Sequence, residues 1–535
     1  MMYVTDEIWY YIFSYFEFSM LRDDWQRDYE GDKDGWQRHG QPALLALCLV
    51  NHQLRRVAQH LLYRSFAIDS AFDLTSGNKH LYVQLLRTVA ENPTLAGKIR
   101  ALKFSRAERG YDTIEEVEKV LEVLNVDLES ALKYRLERCL TCSCATSLLL
   151  AHTPNVELID CTIGDRMSPM PWMLSSILSS EHMVDFKDRR TEKHYKVLSE
   201  QAQFLLRHEQ RKGDHQQPPT DVVRNLSVEH NPLPSLKEVR IKAKDVSKGF
   251  IPAWTIEPIL LNPNLKVLRT LGIDWYMEEE DSFKWPTHQS NLECLDLKET
   301  IAESDTLKTI MTRCPKLKSL SVDLANLYRR GDGDDDGDDE PIYDFVIDLT
   351  EFGGVLRKHG GNLEELSFST FHHGDEYDEN TMGGFGSLRE LTKLRILRAE
   401  YDNLLSEFEG NFYIERFSDV LPASIETLHL FNGRRTPPIF CGPEILNASH
   451  FVKALLTEAE TCTPNLRKVV VEWWGSVSLE EEFCERDWSR ETIDDTWDVK
   501  FMKGNFEHEY HIEGYVMTLV ILIKKKEDAV REDRG

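Results

Sequence analysis

Residues 362–368, NLEELSF, carry the phrase on which the fold turns. A turn residue leads into Leu363, and apolar side chains follow at Leu366 and Phe368. That is a short strand with period-two burial entered from a tight turn. The same phrase recurs as KIRALKF at Ile99, NVELIDC at Val156, SLKEVRI at Leu236, NLKVLRT at Leu265 and NLECLDL at Leu292. It continues as KLKSLSV at Leu317, KLRILRA at Leu394, SIETLHL at Ile425 and NLRKVVV at Leu466. From Leu236 onward the steps between anchors are 29, 27, 25, 46, 31, 31 and 41 residues.

A period of 20–29 residues is that of leucine-rich repeats, each a strand, a turn and a helix that returns on the opposite side. The longer steps then hold insertions. We therefore expect an α/β solenoid over 99–475, with a parallel sheet on the concave face, helices on the convex face, and insertions at 162–230 and 328–342. ESDTLKTIMTRC (303–314) is one readable helix, with Leu307, Ile310 and Met311 at helical spacing and Pro315 to stop it. GDGDDDGDDE (331–340) is too charged and glycine-rich to pack. Residues 69–98 read as a helical linker.

In such strands the leucines face the core and the alternate positions line the concave sheet. Those positions hold Glu238, Arg240, Lys242, Arg269, Asp296, Ser319, Ser321, Asp323, Glu365, Ser367, Ser369, Arg398, Glu400, His429, Lys468 and Glu472. The set is polar and mixed in sign, which suits a protein partner better than a polyphosphate. Trp275, Tyr276, Tyr401, Arg434, Arg435, Trp473 and Trp474 follow the strands, and Trp, Tyr and Arg dominate interface energetics. Together with Arg398 and His429 they form the expected substrate surface.

Upstream of the repeats, VTDEIWYYIFSYF (4–16) and ALLALCLVNHQLRRVAQHLLYRSF (43–66) read as three short amphipathic helices. Thr5 is the expected N-cap of the first, with Asp6 and Glu7 in its opening turn and Ile8, Ile12 and Phe16 along one face. Leu44, Leu45, Leu47, Val50 and Leu54 supply the apolar positions of the next two. Three short helices cannot bury that much apolar surface among themselves, so part of it is reserved for a partner.

This pattern resembles an F-box, the module that docks on the Skp linker of Skp–cullin–F-box ubiquitin ligases. Val4, Thr5, Glu7, Ile8, Ile12, Phe13, Tyr15 and Phe16 match its first half. Leu44, Leu45, Leu47, Val50, Asn51, Leu54, Arg55, Arg56, Val57 and Ala58 match its second. Thr5 replaces the family's usual proline, and a charged insert at 17–42 replaces a short linker. GSLRELTKLRILRAEYDNLL (386–405) and LPASIETLHLF (421–431) further resemble fungal F-box proteins with degenerate leucine-rich repeats. The resemblance implies a non-catalytic substrate receptor. Residues 1–68 would bind a Skp-family linker, and through it a cullin, by way of Ile8, Ile12, Phe16, Leu44, Leu45, Leu47, Val50 and Leu54. The repeats would bind a protein substrate. The alternative is a repeat scaffold whose F-box-like segment is only an N-terminal cap.

Composition narrows the function classes. The net charge is −27, and −20 without the seven acids of 331–340, so nucleic acid and anionic membranes are poor partners. No apolar run approaches the ~20 residues of a membrane span, and the scattered cysteines fit an intracellular protein. CLTCSC (139–144) lacks the second ligand pair of a zinc site. The acidic run lacks the glutamate that closes a calcium loop, because position 343 is Tyr. His372 and His373 beside Asp375 and Glu376 read as a solvated loop. No nucleophile-and-base motif or phosphate loop occurs, so neither catalysis nor a cofactor is expected. Finally, Val516, Leu519, Ile521 and Ile523 are expected to add a last strand within a 476–526 cap, closing the open core before a disordered 527–535 tail.

Overall fold

The computed structural model describes residues 5–14, 35–68, 85, 88–89, 91–104, 149–150, 153–163, 233–243, 251–253, 256, 259–260, 262–275, 289–324, 347–370, 381–400, 402–404, 406–408, 411–413, 417–431, 455–456, 458–459, 461–475, 497–504 and 516–524. The fold is mixed α/β and dominated by parallel strand pairing. The chain divides into two compact units, the first comprising residues 1–245, 251–270 and 283–291, the second 246–250, 271–282 and 292–535.

In the first unit, helices α1 (Asp6–Phe13), α2 (Gly35–Val50) and α3 (His52–Leu62) precede the strands. The order is β1 (Ser65–Ile68), β2 (Ala101–Phe104), β3 (Leu158–Ile163), β4 (Glu238–Ala243) and β5 (Val267–Leu271). In the second unit the order begins β6 (Cys294–Thr300), β7 (Ser319–Leu324), β8 (Glu365–Ser369), β9 (Ile396–Glu400), β10 (Thr427–Phe431) and β11 (Lys468–Gly475). Two antiparallel strands complete it, β12 (Trp497–Gly504) and β13 (Val516–Lys524), with β13 between β11 and β12.

All ten anchors lie in the core, none more than 3% exposed. Register keeps equivalent residues side by side. Leu295, Leu320, Leu366, Leu397, Leu428 and Val469 form one row, and Leu297, Val322, Phe368, Ala399, Leu430 and Val471 form the next. The residue after each anchor fixes that register twice over. Its carbonyl accepts two N–H groups from the following repeat, as Glu364 O does from Arg395 N at 2.8 Å and Ile396 N at 3.1 Å. Its side chain forms opposite-sign pairs between repeats, Arg100–Glu157–Lys237 in the first unit and Glu293–Lys318 and Arg395–Glu426 in the second, although Lys266 follows Lys237 without a change of sign. A slip of one residue would break the pairs and turn the anchors outward. The turn asparagines form a third ladder: Asn264 donates to Pro234 O at 3.0 Å, Asn291 to Pro263 O at 2.9 Å and Asn362 to Pro315 O at 3.0 Å.

Several expectations need correction. Beyond α3 and the single turn α4 (Pro93–Ala96), helices longer than one turn are described over their full length at two crossovers, α5 (Ser304–Arg313) and α6 (Leu349–His359), with further helical residues at 455–456, 458–459 and 461–462. Between β4 and β5 the described residues hold a two-residue strand, Ile251–Pro252, and short turns, and the prolines at 252, 258 and 263 remove helix donors. The insert expected at 17–42 ends sooner, because α2 already begins at Gly35. The insertion expected from 162 starts later, because Thr162 and Ile163 belong to β3. Ser65–Ile68, read as the tail of the helical module, is a parallel strand paired with β2. Val516–Lys524 does pair with β11, but as an inner strand, with Trp497–Gly504 on its far side. Residues 69–84, 328–342 and 525–535 lie outside the described residues.

The crossover through α6 is closely packed. Phe352, Phe368 and Phe385 stack edge-on at 5.4 and 4.8 Å between ring centres, and Arg357 Nη1 donates to Phe385 O at 2.5 Å. Gly353 faces this contact: a Cβ there would overlap the Phe385 backbone, whereas a Cβ on Gly354 has no neighbour nearer than 3.8 Å. In a denaturation series, Gly353→Ala should therefore lose about 3 kcal/mol through overpacking. Gly354→Ala should gain up to about 1 kcal/mol from helix propensity.

Candidate interaction surfaces

The three helices build a small core from Phe13, Leu44, Val57, Ala58 and Leu61, with Trp9, Leu47, Cys48, Leu54 and Leu62 packed around it. Polar pins hold the helices together. Asp6 accepts from Gln53 Nε2 at 3.1 Å and pairs with Arg56, and Arg64 Nη1 donates to Tyr10 Oη at 3.0 Å. Asn51 caps α3 through Leu54 N at 2.8 Å. Thr5 occupies the N-cap position of α1 but makes no side-chain cap bond. Its side chain bonds the Glu7 carboxylate instead, which, after the carboxylate's bond to its own backbone N–H, helps lower that group's pKa. Burial raises the Cys48 thiol and lowers the His60 imidazole.

This packing sorts the residues expected to bind the Skp linker. Leu44 is core, and Leu47 and Leu54 are half-buried against it. Ile8, Ile12, Leu45 and Val50 are exposed at 51%, 40%, 52% and 64%. Phe16 lies outside the described residues. Tyr10, Tyr11 and Leu49 join the exposed set. Leu49 went unremarked in the sequence although it stands one helical turn from Leu45, the spacing that puts both on one face.

The strand positions expected to line a concave face behave differently in the two units. In the first, Asp160, Arg240 and Lys242 are buried, at 1%, 2% and 7% exposed, and Glu238 and Arg269 are half-buried. Glu238 bridges Arg240 at 2.7 Å and Arg269 at 3.1 Å, and Lys242 reaches Asp160 at 3.4 Å. Asp296 and Glu400 in the second unit are also buried. The other described positions there are open or half-open and centre on Arg398. That guanidinium lies 5.2 Å from the centre of the Phe431 ring and 4.0 Å from Glu472, which His429 Nε2 meets at 3.1 Å. Arg398 and His429 are thus brought together on neighbouring strands.

Trp275 is not a surface anchor. It is 1% exposed, its backbone N–H donates to Ile301 O at 2.7 Å, and its backbone carbonyl accepts from Thr306 Oγ1 at 2.7 Å, so the ring fills the core beside α5. Trp473 and Trp474 continue β11. Tyr276, Tyr401, Arg434 and Arg435 lie outside the described residues. So do Cys139, Cys142 and Cys144, the acidic run and the His372–Glu376 cluster. Among the described residues no group of three or more His, Cys, Asp or Glu could hold a metal ion. Burial pushes the Cys161 thiol far up, away from thiolate chemistry. No helix among the described residues is long and apolar enough to cross a membrane.

No protein-family model matches the chain, and no curated protein matches it.

The buried pairing of the first unit makes a direct stability test. Arg240→Ala removes the nearer of the two cations that bridge Glu238, leaving Arg269 at 3.1 Å, and should cost about 2–3 kcal/mol in urea unfolding. Arg398→Ala, on an open surface, should stay within about 0.5 kcal/mol.

Proposed function

We propose that the chain is the substrate-recognition subunit of a Skp–cullin–F-box ubiquitin ligase, working inside the cell without catalytic chemistry of its own. The helical module would seat on a Skp-family linker, and the strand face of the repeats would hold a protein substrate. One observation carries this reading. Of nine large apolar side chains exposed among the described residues, seven (Ile8, Tyr10, Tyr11, Ile12, Leu45, Leu49 and Val50) lie on α1 and α2. Apolar exposure so concentrated marks a partner surface. The F-box-like order of the same residues names the class of partner.

The competing reading, a scaffold with an F-box-like cap, draws on the direct pairing of β1 with β2, which makes the module continuous with the strand run of its unit. A cap, however, requires a polar outer face. Ile8 and Ile12 on α1, and Leu45 and Leu49 on α2, are each spaced by one helical turn and are exposed, which favours docking.

Co-expression with a Skp linker tests the proposal. The wild-type chain should co-purify at one-to-one stoichiometry, and Leu45→Asp with Val50→Asp should weaken binding about 100-fold or more by placing charge in an apolar interface. Ile396→Asp, an exposed apolar site on β9, should leave co-purification unchanged. Retention of the linker by the double variant would refute the docking assignment.

A further inference from the structure

Ser321, Ser367, Arg398 and His429 stand in direct register across β7, β8, β9 and β10 of the second unit. Arg398 is the centre of this row. Its guanidinium lies against the Phe431 ring, 5.2 Å from the ring centre, a cation–π contact that limits its freedom before anything binds. The side chain is 44% exposed, and among the described residues the guanidinium makes no hydrogen bond to the protein. Glu472 is the one described carboxylate within 4.0 Å of it, and it stands at that limit because His429 Nε2 holds it at 3.1 Å. The carboxylates beside the row are engaged as well. Glu365 accepts from Ser319 Oγ at 3.1 Å, and Glu400 accepts from Ser369 Oγ at 2.8 Å and Thr370 N at 2.6 Å. A charged fork with several N–H donors is thus held in place and left to an outside acceptor. Ser321 and Ser367 extend the row with half-buried hydroxyls that also bond no protein group among the described residues. Neighbouring strands stand about 4.8 Å apart, so these three side chains span about 10 Å, roughly three residues of extended chain. Ile396, two positions before Arg398 and on the same face, is 38% exposed and offers an apolar contact beside the charge.

We propose that this row binds an extended acidic segment of a protein substrate, with one oxyanion, a carboxylate or a phosphate, seated on Arg398 and the segment crossing β8 and β7 over the two hydroxyls. The proposal deepens the function given above and rests on its reading that the strand face holds a protein substrate; it does not depend on the helical module reaching a linker. Charge complementarity selects the class of partner. A planar guanidinium grips an oxyanion through two parallel N–H···O bonds. A cationic segment would instead need carboxylates, and Glu365, Glu400 and Glu472 already have partners.

A synthetic library of short peptides, built from the common amino acids and phosphoserine, tests this on the purified full chain. Selected peptides should be enriched in Asp, Glu or phosphoserine close to an apolar residue, and whichever dominates identifies the oxyanion. For the best peptide, fluorescence anisotropy should show Arg398→Gln binding about 10- to 100-fold more weakly, the range for losing a charge-assisted hydrogen bond. Arg398→Lys should fall between that variant and the wild type, because an ammonium keeps the charge without the two-pronged contact. Lys308→Gln removes the same charge from an exposed position on α5 and should bind as the wild type does. Thermal midpoints of the Arg398 variants should match the wild type, which separates lost binding from lost folding. A selection without acidic enrichment, an Arg398→Gln variant that binds undiminished, or an equal loss in Lys308→Gln would each overturn the proposal. Linker co-purification from the same preparations reports on the helical module separately: its loss, with acidic selection retained, would contradict linker docking and support this site.

Discussion

Within each unit, a repeat is fixed to the one before it by a single backbone carbonyl that accepts two N–H groups. Arg100, Glu157, Lys237, Glu293, Lys318, Glu364, Arg395 and Glu426 all supply this acceptor. The rest of the fold follows from it. Once two successive N–H groups are tied to one carbonyl, the following residues run parallel in register, and the anchor one position earlier points into the core. The opposite-sign pairs and the asparagine ladder act on the same junction from the solvent side. Backbone, charge and amide specify one register together, so the agreement of three weak signals makes it unique.

That junction explains how much of the molecule was legible in the sequence. Anchor, turn residue and alternating strand positions are adjacent in sequence, so the ten strands could be read from a seven-residue phrase. α5 was equally local, bounded by Glu303 before it and Pro315 after it. What escaped depends on partners distant in sequence. Ser65–Ile68 has no anchor phrase of its own and becomes a strand only because β2 offers it an edge. Val516–Lys524 has a strand's composition, but its neighbours on both sides come from the pairing and not from the run itself. Trp275 has an interface residue's chemistry, and only the backbone bonds to Ile301 and Thr306 reveal that it is core. The α2 start at Gly35 was hidden by a polar composition that resembles a loop.

The functional surfaces follow a parallel division. Exposure of apolar side chains on α1 and α2 could be anticipated, because three short helices have too little interior for their apolar residues. Which of them are exposed required packing: Leu44 and Leu45 are sequence neighbours, yet one is core and the other faces solvent. On the strands, a polar concave face was expected throughout. Burial instead divides it, closing Asp160, Arg240 and Lys242 into ion pairs in the first unit while Arg398 and His429 remain accessible in the second. Residue type alone did not separate a structural ion pair from a recognition group; the bonded partners and the exposure did.

The central claim is that the outer faces of α1 and α2 are a docking surface for a Skp linker. Hydrogen–deuterium exchange of the full chain, alone and with an excess of linker protein, tests it most directly. The account predicts that backbone amides of 6–14 and 35–50 gain protection in the complex, while those of 319–324 and 427–431 do not change. Unchanged exchange across both helices, in the presence of a linker that binds a known F-box control, would contradict it.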